Sequence, residues 1–71
     1  MDSTVWQEHL AQAELHIVEA ERRVARQREI VEMLERDGHR TTAARGMLAA
    51  FGRFLAMYLA DRQRLRRELS L

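Results

Sequence analysis

A chain of 71 residues has room for one domain and a small core, because a polypeptide this short leaves much of its surface in water even when folded. Proline and cysteine are absent and glycine occurs three times, a composition that suits long helices and excludes disulfides and thiolate metal sites. The formal net charge of +1 conceals a segregation: residues 1–38 hold nine acids and five arginines (net −4), and residues 39–71 hold seven arginines and two acids (net +5), so the two halves attract each other.

The opening "MDSTVWQEHL" is acidic and lacks a basic region followed by an apolar run. No signal peptide is expected from it, and the expected location is cytoplasmic. Thr4 with Gln7 three residues later fits a capping box, with Ser3 and Asp2 as competing caps, so a first helix is expected over about 4–37. Within it Trp6, Leu10, Ala13, Ile17, Ala20, Val24, Gln27, Val31 and Leu34 recur with unbroken 4,3 spacing. That is the seam of a helix packed lengthwise on another, and Gln27 is its single polar member.

In "ERDGHRTTAA", Gly38 stands where a left-handed residue closes a helix, and Thr41 or Thr42 can cap the next one, which places the turn at 38–41. The second helix is expected over about 42–69, with seam positions Ala44, Leu48, Phe51, Leu55, Tyr58, Arg62, Leu65 and Leu69, again spaced 4,3. A connection this short folds the helices back as an antiparallel hairpin. The expected register sets Leu34 near Ala44, Gln27 near Phe51, Ala20 near Tyr58 and Ile17 near Arg62, with Glu14 or Glu21 available to receive that arginine.

The segments "HLAQAELHIVEAERRVARQREIVEMLERDGHRTTAARGML" and "DRQRLRREL" resemble those of short, uncharacterised helical-hairpin proteins of alphaproteobacterial genomes. The resemblance covers most of the chain and implies a hairpin fold and a bacterial source; that family has no established activity. The chain differs from the family's pattern in carrying Ala44 where an acidic residue is usual, and in the apolar character of "GRFLAMY".

The stretch "GMLAAFGRFLAMYLA" contains one charge in fifteen residues. A hairpin seam uses only Leu48, Phe51, Leu55 and Tyr58 of it, leaving Met47, Ala50, Phe54, Met57 and Leu59 without a partner, while helix 1 has a weaker second stripe at Ala11, Leu15 and Val18. Each large apolar side chain left in water forgoes about 1.5–3 kcal/mol. The expected architecture is therefore all-α: an antiparallel, coiled-coil-like two-helix hairpin assembling as a homodimeric four-helix bundle, with Gly46, Ala49, Gly52 and Ala56 permitting close helix approach. Its interface is expected at Met47, Ala50, Phe51, Phe54, Met57 and Tyr58. A dimer is favoured over a tetramer. The stretch is too short, and Arg53 too polar, for a transmembrane span; lying along a membrane surface is one alternative.

Few residues suggest chemistry. His9 and His16 are seven apart, about 10 Å along a helix, too far to chelate one ion unaided, and His39 falls in the turn. Glu19 with Arg23 and Glu32 with Arg36 are four-apart pairs on a solvated face. No two carboxylates share an apolar setting that would separate their pKa values. No catalytic, cofactor or metal residue is expected, and the chain is not expected to be an enzyme. The tail "DRQRLRREL" carries Arg62, Arg64, Arg66 and Arg67, a candidate anion or nucleic-acid surface, although basic residues near a helix C-terminus also suit the helix dipole. The expected role is a self-associating scaffold or adaptor, with another protein as a further partner; nucleic-acid binding is the other alternative.

Overall fold

The computed structural model describes residues 3–70. Among them the chain forms two helices, α1 over Ser3–Arg36 and α2 over Thr42–Ser70, packed against each other as a hairpin. The molecule is a rod of 54 × 14 × 13 Å. Ser3 and Thr4 already lie inside α1, so the helix does not start at the Thr4–Gln7 box; Asp2, the remaining candidate cap, is outside the described residues.

Burial follows the 4,3 stripe. On α1 the buried residues are Ala13, Ile17, Ala20, Val24, Gln27 and Val31; on α2 Leu65 alone is buried, and the other seam residues from Ala44 to Leu69 are half-buried. The asymmetry has a steric cause. Alanines and valines on α1 are short enough for one neighbouring helix to cover, whereas Phe51, Leu55 and Tyr58 extend past the line of contact. Gln27 is 5% exposed, yet its amide is not stranded, because Nε2 donates to the Ala44 carbonyl oxygen at 2.9 Å. This ties the middle of α1 to the first turn of α2 rather than to the level of Phe51, where the spacing set it.

The turn closes α1 by a Schellman arrangement. Gly38 has φ 74°, its N–H donates to the Glu35 carbonyl at 3.1 Å, and the His39 N–H donates to the Leu34 carbonyl at 2.9 Å. Glycine reaches this left-handed conformation without the penalty of about 1–2 kcal/mol that a Cβ imposes. Thr41 then starts α2, its carbonyl accepting the Arg45 N–H at 2.8 Å. The Thr41 hydroxyl accepts from Arg45 Nε at 2.9 Å, and the same guanidinium pairs with the Glu35 carboxylate, clipping the end of α1 to the start of α2.

A second cross-helix ion pair, Arg66 with Glu14 at 3.6 Å, lies near the other end of the rod. The two pairs belong to one ladder. Glu14, Glu21, Arg28 and Glu35 repeat every seven residues on α1, as do Arg45, Gly52, Leu59 and Arg66 on α2, so in antiparallel order Glu35 meets Arg45 and Glu14 meets Arg66. The segregated charges therefore attract along one edge of the hairpin. Glu14 takes Arg66 rather than Arg62, since residue 66 shares the edge whereas residue 62 sits in the seam. The four-apart pairs Glu19–Arg23 and Glu32–Arg36 do not form among the described residues; Arg26 pairs with Glu29 at 3.2 Å and Arg64 with Asp61 at 3.7 Å. Such exposed pairs are nearly degenerate in energy, so small rotamer preferences choose between them.

Candidate functional site

The opposite edge carries the surplus apolar groups. Met47, Ala50, Phe54 and Met57 follow one another at spacings of 3, 4 and 3, which aligns them on one flank of α2 beside the seam. Met47 is 51%, Phe54 53% and Met57 47% exposed. Ala50, Phe51 and Tyr58 are half-buried, the last two because they also serve the seam. Leu59, 38% exposed, shares the heptad position of Arg45 and Arg66 and so lies on the ladder edge, apart from the others.

On α1 this edge carries His9, His16 and Arg23 at seven-residue spacing, followed by half-buried Ile30. A shallow groove runs between Phe51, Phe54 and Tyr58 of α2 and His16, Glu19 and Arg23 of α1. The His16 imidazole lies against the Tyr58 ring with centroids 5.0 Å apart and planes inclined at 39°. One turn further along, a second groove gathers His9, Gln12 and His16 with Asp61 and Arg64, and His9 meets the Trp6 ring edge-on at 6.0 Å. The two histidines thus rest on different aromatic rings. Among the described residues, no group of three or more His, Asp or Glu is placed to hold a metal ion. Leu15 and Val18 are exposed on the far side of α1 from α2, a separate and smaller apolar patch.

The four arginines of the tail fall into two pairs rather than one cluster: Arg62 and Arg66, four apart, share one side of α2, and Arg64 and Arg67, three apart, share another. Arg62 is half-buried at the seam, Arg64 pairs with Asp61, and Arg66 pairs with Glu14. Arg67 shares an open surface with Gln63, Arg66 and Ser70, whose hydroxyl donates to the Arg66 carbonyl at 2.8 Å.

The charge ladder escapes a residue-by-residue reading because its two ion pairs join residues far apart in sequence on different helices. A search for matching seven-residue repeats of opposite sign in the two halves would have found its end pairs. No described helix is long and apolar enough to cross a membrane. Compared with known proteins, the chain matches no family model, no curated protein and no solved structure.

Proposed function

We propose that this chain is a self-associating helical scaffold or adaptor, whose functional unit is a homodimer of two hairpins packed as a four-helix bundle. The observation that carries this reading is the line of Met47, Phe54 and Met57, each about half-exposed, on the edge that, among the described residues, no cross-helix ion pair closes. Large apolar side chains aligned in this way mark an association surface rather than scattered exposure. A second copy covers the line with its own, and the bundle presents the charged outer faces to a protein partner. The groove residues His16, Glu19 and Arg23 then rim the interface, where polar groups remain hydrated. No catalytic role is assigned to any residue.

Sedimentation equilibrium on the purified chain at micromolar concentration tests this reading. A species of about 17 kDa is expected, twice the 8.4 kDa chain. A folded, helical species that stays at 8.4 kDa throughout the concentration range would remove it.

A further inference from the structure

We infer that the second copy docks on the Met47–Met57 edge with its own α2 running antiparallel, so that Phe54 of each copy faces Ala50 of the other and Met57 faces Met47. This rests on the self-association proposed above and specifies its geometry.

Three observations lead to it. The first is surface. A compact globule of this mass exposes roughly 4600 Å², whereas the hairpin exposes 5539 Å². The excess of about 900 Å² is close to the roughly 800 Å² that each partner buries in an interface of standard size. One further hairpin is therefore sufficient.

The second is shape. The stripe alternates Met47, Ala50, Phe54 and Met57, with a small residue one turn from the largest. Antiparallel docking about a two-fold axis at the level of residue 52 sets each phenyl ring over an alanine. Parallel docking sets ring on ring and alanine on alanine, leaving a gap beside a clash. Gly46 borders the same stripe, and a Cβ built there meets nothing within 4 Å in the single chain. The hairpin alone gives no steric reason for this helical glycine, while in the antiparallel pair Met57 of the second copy passes beside it.

The third is charge. The stripe ends at Asp61, half-buried and one turn beyond Met57. In the antiparallel pair this carboxylate meets Ala43 in the first turn of the other α2, where free backbone N–H groups and the helix dipole favour a negative charge, with Arg40 one turn away. In the parallel pair Asp61 meets its own copy, and Arg64 likewise, placing like charges together.

Because the chain has no cysteine, a single introduced thiol carries a spin label at one site only. Gln63→Cys lies on an exposed position away from the stripe, and Ala49→Cys lies near the proposed axis. Dipolar distance measurement on the labelled dimer should give at least about 34 Å between the two 63 positions, whose axial offset is 22 residues at 1.5 Å each, and a much shorter distance, about 12 Å or more, between the two 49 positions, whose axial offset is about 9 Å. The double exchange Ala50→Phe with Phe54→Ala should still dimerise, whereas each single exchange weakens association at least tenfold. A dimer with its 63 labels within about 20 Å would overturn the antiparallel geometry and leave self-association standing. A labelled chain that remains helical and monomeric at every concentration would overturn both.

Discussion

The two edges of the hairpin treat the same problem in opposite ways. Along one, Glu35–Arg45 and Glu14–Arg66 join the helices through charges that water also solvates, and the chain needs nothing further there. Along the other, Met47, Phe54 and Met57 stand beside the groove, each about half-exposed. The ion-paired ends of the first edge are already solvated, whereas half-covered apolar side chains on the second gain from further burial. The strength of the two should differ accordingly, since exposed pairs contribute about 0–1 kcal/mol each and apolar burial about 25 cal/mol per Å².

The seam between the edges sets the scale for both. Ile17 is 3% exposed, the most deeply buried large side chain described. Ile17→Ala should lower stability by about 2–4 kcal/mol, read as a reduced urea midpoint followed by circular dichroism. A loss below about 1 kcal/mol would mean that the seam is not the core. Phe54→Ala, on the apolar edge, should be smaller in total effect and different in kind. It should weaken association by about 1.5–3 kcal/mol, a tenfold to hundredfold rise in the dissociation constant by sedimentation, and leave α1 and α2 helical at concentrations where the variant is still paired. Equal loss of helix and of mass at all concentrations would merge the apolar edge with the seam and abolish the distinction between them.

The seam was legible because helical period and burial are the same signal. The positions Trp6 to Leu34 and Ala44 to Leu69 read off the 4,3 spacing are the buried or half-buried residues among those described, with Ile30, Thr41, Ala50 and Asp61 as additions at the margins. The left-handed residue at Gly38 was legible for a related reason, since few residues tolerate that conformation. Pairing between long side chains was not. Glu14 reaches Arg66 instead of Arg62 because residue 66 shares its edge, and Gln27 finds the Ala44 carbonyl because a long amide side chain selects an acceptor along the seam without changing which face is buried. The tail arginines, neighbours in sequence, divide into two pairs on different sides of the helix. Of the expected association surface, the exposure of Met47, Phe54 and Met57 followed from counting apolar residues the seam could not use; Leu59, left over by the same count, lies on the other edge by its heptad position.

The ladder offers a way to sharpen the contrast by adding to the edge that is already closed. By the seven-residue spacing, its two middle rungs fall at Arg28 with Gly52 and Glu21 with Leu59, where one side carries no charge. A Cβ at Gly52 meets nothing within 4 Å, so a side chain there is unobstructed within the chain. Gly52→Glu should stabilise the hairpin by about 1 kcal/mol. Most of this comes from relieving a helical glycine, and a few tenths from the new pair with Arg28. Gly52→Gln in parallel separates the two contributions, and the difference between them should shrink in high salt. Destabilisation by both would show that another surface approaches the chain at residue 52, and would move the docking site to this edge.

The smallest expected effect falls at the turn, and it separates charge from connectivity. Arg45 donates to Thr41 and pairs with Glu35, but the side chains of Arg45 and Glu35 are 59% and 45% exposed, so solvent screens most of the attraction. Arg45→Ala should lower stability by about 0.5 kcal/mol, partly offset by the better helix propensity of alanine, and the loss should fade as salt is raised. Glu35→Gln should reproduce the salt-sensitive part alone, because the hydrogen bond from Arg45 to Thr41 survives it. Association should be unchanged in both, since neither residue lies on the Met47–Met57 edge. If either substitution altered the dissociation constant as much as Phe54→Ala does, the two edges would not be independent, and the apolar line would owe its alignment to the ion pairs across from it.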